Sequence, residues 1–472
     1  MPEPSLLSDE SRRAAGLVCG PLLFLLLLIA GSGILPWEAR VVAGGTLWII
    51  VWWVTEAVPI AAASLLPIVL FPLFGAMETG PVAAEYGNPI VFLFIGGFLI
   101  AIAMEKWKVH TRIALRIISL IGTSPRRIIG GFLAATAFMS AWISNSATAL
   151  MMLPVAAAVT TRFSAGEGDG EFRTALLLAV AYGASIGGIA TLVGSPPNMI
   201  MAGMYSTLSG SGISFIGWSA FAAPIAGILL ILTWIYLVFF AFPRIRGGET
   251  AGIENQIREI GPLSTEERRV LGVFFLTVAL WISRALWGPF LPMVTDAGIA
   301  VFGAVLLFLL PAGSGGRILA WEDAVRLPWS IVLLFGCGFA LAKGFVDTGL
   351  EAWIAGRLNL VAGVDPLVIL FLVIVVILFL TEVTSNTATA TIFMPVAAAL
   401  AAASGTQPFV LMAAAALASS LAFMLPVGTP PNAIVYGSGY VTMPQMVRAG
   451  FRMNLISIAV LMTCIPLFLG GS

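Results

Sequence analysis

Thr381-Glu-Val-Thr-Ser-Asn-Thr-Ala-Thr-Ala-Thr-Ile-Phe-Met-Pro395 is a polar knot between two apolar arms, 367–380 and 391–403. Polar groups left without partners in apolar surroundings are costly, so Ser385-Asn386-Thr387 needs a purpose. The knot has a twin. Ser140-Ala-Trp-Ile-Ser-Asn-Ser-Ala-Thr-Ala-Leu-Met-Met-Leu-Pro154 carries Ser144-Asn145-Ser146 in the same setting, 385 − 144 = 241 residues earlier. Two copies of one polar tip predict one composite site.

Outward from the tips the chain is almost wholly apolar. Charged residues are 10% and hydrophobic residues 59% of 472, and mean hydropathy is +1.03. A soluble domain carries about 25% charged residues, so the chain reads as a polytopic protein of the lipid bilayer. A net charge of zero argues against a nucleic-acid partner. Cys19, Cys337 and Cys464 sit in apolar segments without metal-binding spacing and read as small buried hydrophobes; the lone histidine, His110, follows a basic stretch and reads as surface. Without a cluster of His, Cys and Asp or a nucleophile elbow in the apolar core, an enzyme is not expected.

The pattern predicts an all-α polytopic membrane protein with eleven transmembrane helices plus two re-entrant helical hairpins in two inverted repeats. The spans are 16–34, 41–54, 61–74, 90–104, 176–191, 215–240, 270–286, 297–310, 331–344, 409–425 and 454–469. The hairpins are 127–160 and 367–403, each read as two apolar arms too short for two full crossings. The repeat extends beyond the tips. Ile90-Val-x-Leu-Phe-x-Gly-Gly-Phe98 matches Ile331-Val-x-Leu-Phe-x-Cys-Gly-Phe339 at offset 241, and Gly194-Ser-Pro-Pro-Asn198 matches Gly428-Thr-Pro-Pro-Asn432 at 432 − 198 = 234. Thr55-Glu56-Ala57 and Thr295-Asp296-Ala297 match at 240. Five spans and a hairpin separate equivalent points, so counting puts the copies in opposite orientation, as in secondary transporters whose site lies at the repeat interface. Lysine and arginine placement sets the N-terminus, with Arg12 and Arg13, in the cytoplasm and the C-terminus outside, in a plasma (inner) membrane. Residues 244–269 then link the halves on the cytoplasmic side.

The chemistry follows from the interruptions. Glycine and successive prolines should unwind 193–198 and 427–432 inside their spans and free carbonyl oxygens. Those carbonyls, with the hydroxyls of Ser140, Ser144, Thr381, Thr384 and Ser385 and the amide oxygens of Asn145 and Asn386, are the neutral oxygen ligands sodium favours. Helix arms starting after the tips aim N–H groups at an anion, and the hydroxyls of Ser144, Ser146, Ser385 and Thr387 can donate to a carboxylate. The core has hardly any lysine or arginine, and Lys343 reads as snorkelling. A dianion must therefore be neutralised by bound cations, which is a reason for coupling. Any one hydroxyl could be helix–helix glue; two repeated tips together with two repeated breaks are poorly explained that way. Glu56 and Glu382, near expected span or hairpin ends, read as capping or packing groups.

Ser419-Ser-Leu-Ala-Phe-Met-Leu-Pro-Val-Gly-Thr-Pro-Pro-Asn-Ala-Ile-Val435 resembles the signature of the divalent anion/sodium symporter family, which includes the INDY-type dicarboxylate carriers. Trp53-Val-Thr-Glu-Ala-Val-Pro59, Gly96-Gly-Phe-Leu-Ile-Ala-Ile-Ala-Met-Glu-Lys-Trp107 and the paired Ser-Asn tips are similar too, so the likeness runs from about Trp48 to Arg452. The resemblance implies a homodimer working as an elevator. Scaffold helices would lie in 1–126 and 270–366, and a mobile transport domain would be built from 127–243 and 367–472. It implies substrate contacts at Ser144, Asn145, Ser146, Ser385, Asn386, Thr387, Thr429 and Pro430. One sodium would lie by Ser140, Ser144, Asn145 and Gly194, and another by Thr381, Thr384, Asn386 and Gly428. Ser146 departs from the family's usual threonine, which predicts a tuned pocket. The expectation is sodium-coupled symport of C4 dicarboxylates such as succinate, malate and fumarate. The alternatives are a sodium-independent dicarboxylate or citrate exchanger and, further off, sulfate transport.

Overall fold

The computed structural model describes residues 9–122, 124–162, 169–245, 261–313, 315–357 and 363–469. Apart from one isolated bridge, Pro311 to Arg317, the regular elements among them are helices. Helix α1 (Asp9–Ala30) stands outside the repeat. The first half continues with α2 (Trp37–Thr55), α3 (Ile60–Ala63), α4 (Leu66–Leu73), α5 (Thr79–Glu85), α6 (Pro89–Lys106) and α7 (Val109–Ile121). It ends with the pairs α8 (Pro125–Ser140) and α9 (Asn145–Arg162), α10 (Asp169–Ile189) and α11 (Pro196–Ser209), then α12 (Phe215–Ile235), which runs into a π-helical turn, Tyr236–Ala241. The second half repeats that order with α13 (Thr265–Trp287), α14 (Asp296–Leu309), α15 (Trp321–Ala324), α16 (Trp329–Asp347) and α17 (Leu350–Arg357). Then come α18 (Pro366–Leu380) with α19 (Asn386–Ser404), α20 (Pro408–Ser419) with α21 (Pro430–Gly437), and α22 (Met443–Leu469).

Proline starts many of these helices. Pro89, Pro125, Pro196, Pro366, Pro408 and Pro430 all occupy the first helical position, where the missing N–H would have had no intrahelical partner. That corrects the expected unwinding of 193–198 and 427–432. The breaks lie at 190–195 and 420–429, and both Pro-Pro-Asn triplets open the following helix instead. The span expected at 409–425 accordingly stops at Ser419. The last helix begins at Met443 rather than 454, because Arg448 and Arg452 mask its amphipathic first turns.

Among the described residues, 8 helical stretches are long and apolar enough to cross a bilayer. They differ sharply in burial. Only 22% of the apolar window of α1 is buried, so it faces outward, whereas 94% of that of α10 is buried, which makes α10 the central post. The second arms of the tip-bearing pairs are longer than expected, with 18 residues in α9 and 19 in α19, and α19 is among the stretches of crossing length.

The halves meet through equivalent residues. Phe94 and Phe335, related by 335 − 94 = 241, lie edge to face with centroids 5.1 Å apart. At the one mismatch in that motif, a Cβ on Gly96 would lie 2.5 Å from the carbonyl carbon of Ala300, so α14 packs directly on α6. Arg112 of α7 forks onto Glu267 at 2.8 and 3.0 Å and donates to the carbonyls of Gly261 and Pro262, bringing α7 and the start of the second half to one end of the molecule. Of the expected linker 244–269, residues 246–260 lie outside the described residues.

His110 is buried, not surface. With Ala114 and Ile118 it forms the inward stripe of α7 at helical spacing, its Nδ1 3.1 Å from the Met104 carbonyl, and burial pushes its pKa down. Lys343 pairs with Asp347 one turn on. Glu56 ends α2 with its backbone in the left-handed region (φ 50), but its side chain is 57% exposed beside Arg12 and Arg13. Its backbone caps α2, the N–H donating to the Trp52 carbonyl, but its side chain does not pack. Glu382 does pack: 3% exposed, it accepts the N–H groups of Phe423, Met424 and Leu425 and the amide of Asn454.

Candidate functional site

Four helices begin at one cavity of about 470 Å³. Helices α9 and α19 start at the tips, and α11 and α21 start just after the breaks. Its walls include Ser144, Asn145 and Ser146, then Ser385, Asn386 and Thr387, with Ser195 to Pro197 and Gly428 to Pro430 between them. The structure thus brings all eight residues expected at the substrate into one space. Phe98 and Ile331, from the repeated motif of α6 and α16, close the remaining side. Among the described residues, no lysine, arginine, aspartate or glutamate lines the cavity. What replaces fixed charge is the positive end of four helix dipoles, a setting that favours an anion.

Beside the cavity each repeat holds the same cluster. Ser140 Oγ donates to Asn145 Oδ1 at 2.7 Å and is 2.6 Å from the Ala184 carbonyl; Thr381 Oγ1 donates to Asn386 Oδ1 at 2.7 Å and is 2.9 Å from the Ser419 carbonyl. With its amide turned the other way, Asn145 donates to the carbonyls of Ala184 and Gly194, both at 3.2 Å. Asn386 in that orientation donates to Gly428 and Ser419, both at 3.0 Å. With the amide oxygens inward, each cluster is a nest of neutral oxygens, two carbonyls, a hydroxyl and an amide. Such a set suits a hard monovalent cation and offers nothing to a metal that prefers nitrogen or sulfur. Among the described residues there is also no group of three His, Cys, Asp or Glu side chains that could hold a metal ion.

The breaks are tied identically. Asn198 Nδ2 donates to the carbonyls of Gly188 and Thr191, and Asn432 Nδ2 to those of Ala422 and Leu425, every pair offset by 234. Ser195 and Ser420 join the two breaks to each other, Oγ to Oγ at 3.1 Å. Two expected sodium ligands are directed elsewhere. Ser144 Oγ accepts the Ala147 N–H and caps α9, and Thr384 Oγ1 donates to the Leu380 carbonyl and lies 2.6 Å from Thr389 Oγ1.

Three participants escaped the sequence reading: the carbonyls of Ala184 and Ser419, and Gly188. A Cβ on Gly188 would sit 2.3 Å from Asn145 Oδ1, and the Gly187-Gly188 pair was the available signal. Because the obstructed atom ends a movable side chain, Gly188→Ala should leave folding intact and displace the amide instead. The expected result is about a tenfold or greater rise in the sodium concentration needed for half-maximal transport, with an unchanged melting temperature. An unchanged sodium dependence would show that the Asn145 cluster is not an ion site.

A family profile described as the sodium:sulfate symporter transmembrane region matches residues 15–469. The sodium-dependent dicarboxylate transporter SdcS of Staphylococcus saprophyticus subsp. saprophyticus is 45% identical over 465 residues, covering 94% of this chain and 89% of its own. The protein of that name from Staphylococcus aureus is 45% identical over 478 residues, covering 96% and 92%. Among solved structures, the Alcanivorax borkumensis YdaH transporter aligns with a TM-score of 0.63 at 14% identity, over 91% of this chain and 98% of that one. Neisseria gonorrhoeae MtrF aligns at 0.58 and 13%, over 92% and 96%. At such identities the two structures bear on fold alone.

Proposed function

This chain belongs to the sodium:sulfate symporter family, and we propose that it is a secondary transporter that carries small dicarboxylates, of the C4 succinate, malate and fumarate type, together with sodium. The observation that carries this reading is a cavity of four helix N-termini without fixed charge, flanked by two neutral oxygen clusters. Helix dipoles and hydroxyl donors alone do not offset the desolvation of two carboxylates; sodium ions held beside them cancel most of that charge. The names and 45% identity of the staphylococcal relatives support both substrate class and ion.

In this reading Ser144, Asn145 and Ser146 take one carboxylate and Ser385, Asn386 and Thr387 the other, with Thr429 and Pro430 alongside. Sodium sits by Ser140, Asn145 and Gly194 and by Thr381, Asn386 and Gly428; each asparagine turns its oxygen to the ion and its N–H₂ to the substrate. The tip-bearing pairs are re-entrant hairpins among eleven spans. They belong with α10 to α12 and α20 to α22 to a body that moves as an elevator against the scaffold in 1–126 and 270–366. The Ser195–Ser420 contact between the breaks supports grouping the two halves of that body. The protein works as a homodimer in the plasma membrane, N-terminus cytoplasmic and C-terminus outside.

Labelled succinate uptake into proteoliposomes tests this, with vesicles empty or preloaded and with or without an inward sodium gradient. Uptake into empty vesicles that requires sodium is expected. Uptake only into preloaded vesicles, indifferent to sodium, would make the protein an exchanger.

A further inference from the structure

The matched segments Thr55-Glu56-Ala57 and Thr295-Asp296-Ala297 have no part in the site, yet the structure treats them very differently. Asp296, at the start of α14, is 7% exposed. Its Oδ2 accepts the Phe215 N–H at 2.7 Å, its Oδ1 accepts Arg284 Nη1 at 2.9 Å, and its carbonyl accepts Trp281 Nε1 at 3.0 Å. Phe215 is the first residue of α12, the last helix of the first half. Its ring stacks on Trp281 with centroids 4.2 Å apart and faces Trp142, two residues beyond Ser140, at 6.0 Å. Asp296 therefore pins the tip-bearing body to the frame, carboxylate to helix N-terminus.

The equivalent acid is idle. Glu56 is more than half exposed, and among the described residues its side chain has loose arginine neighbours at 3.6 and 3.9 Å, pairs that contribute little at a surface. The helix equivalent to α12 is α22, whose first residue, Met443, is 39% exposed and follows Thr442 as Phe215 follows Ser214. Thr442 N and Oγ1 both donate to Gln445 Oε1, so that helix start is ordered. Alternating access in such folds is largely a rigid-body movement of one part against the other, so a contact made on one side can be released while its symmetry-related contact forms on the other. We infer that Glu56 and Asp296 are alternating positioning residues: Asp296 holds the N-terminus of α12 in the state seen here, and Glu56 holds that of α22, at the Met443 N–H, in the opposite state. This rests on the reading of the protein as an alternating-access carrier.

The test places reporter thiols beside, not on, the two groups. Ala57→Cys and Thr442→Cys are introduced together with Cys19→Ser in the full chain in proteoliposomes. Linking by a short bifunctional thiol reagent is followed with sodium and succinate present, and wild-type uptake is measured in parallel. Linking that rises during turnover is expected. In that background Asp296→Ala should raise the linked fraction and Glu56→Ala lower it, each by roughly tenfold, the scale of one charge-assisted hydrogen bond. Asp296→Asn, which keeps an acceptor for the Phe215 N–H, should fall between. A purely structural role for either acid would not move the fraction in opposite directions. Uptake without linking, or equal effects of the two alanines, overturns the inference. Linking without uptake supports the two positions while removing the functional reading, and neither linking nor uptake counts against both.

Discussion

Asn386→Ala is expected to abolish sodium-driven dicarboxylate uptake, to less than about one-hundredth of the wild-type rate, in protein that should purify and melt as the wild type does. The side chain is half-buried at the first position of α19, where alanine is a good helix former and leaves no sealed cavity. Stability therefore changes little. In the proposed site, function would lose two things at once. Oδ1 belongs to the oxygen cluster with Thr381, Ser419 and Gly428, and the opposite edge of the amide faces the cavity. Two lost interactions with charged partners amount to about 3–6 kcal/mol, hence at least about a hundredfold. Thr384→Val provides the contrast: its hydroxyl is spent on the Leu380 carbonyl and Thr389, so uptake should fall only a few-fold. Near-normal uptake by Asn386→Ala, or an equal collapse with Thr384→Val, would remove the site as drawn.

The sequence made the site visible because its polar residues stand out against hydrocarbon-matching surroundings and because they occur twice. Offsets of 241 and 234 recovered the paired clusters down to equivalent hydrogen bonds, including those of Asn198 and Asn432. Backbone participants were less legible. The carbonyls of Ala184 and Ser419 enter the clusters only because α10 and α20 pass beside the tips, and no side-chain pattern announces a carbonyl. Prolines misled at the breaks: a proline pair stops a preceding helix but is equally at home opening the next. His110 misled for a related reason, since its basic neighbours flank an inward stripe that runs through His110 itself. Glu56 and Glu382 were read alike from their positions near segment ends. One proved exposed and the other buried, because burial there depends on whether a second unwound strand of backbone comes past.

That second strand of backbone makes Glu382 the residue whose loss is least tolerable. Residues 420–429 have left helical geometry, so their amides need partners from elsewhere, and within a bilayer water is not available to supply them. Glu382 Oε1 accepts from Phe423, Met424 and Asn454, and Oε2 from Met424 and Leu425, all at 2.8–3.0 Å. A Cβ on Gly428 would lie 3.1 Å from Oε2, so the glycine is what lets the break close over the carboxylate. Glu382→Ala leaves four donors unmade at ~1–3 kcal/mol each, a loss of about 4–12 kcal/mol against a total stability of roughly 5–15. No monodisperse protein should survive size-exclusion chromatography in detergent. Glu382→Gln retains one oxygen but turns an N–H₂ toward groups that are themselves donors, so it should fold with a clearly lowered melting temperature. The first half holds its shorter break without a carboxylate. The residue equivalent to Glu382 is Ala141 (382 − 241 = 141), whose carbonyl accepts Thr191 Oγ1, while the Gly194 N–H donates to that hydroxyl at 3.2 Å. Thr191→Val should then cost only about 1–3 kcal/mol and leave a folded protein. If Glu382→Ala were as stable as wild type, the break would have to be held by its own helix ends. Equal damage from both variants would mean that the two breaks share their support through Ser195 and Ser420 rather than each being held from its own tip.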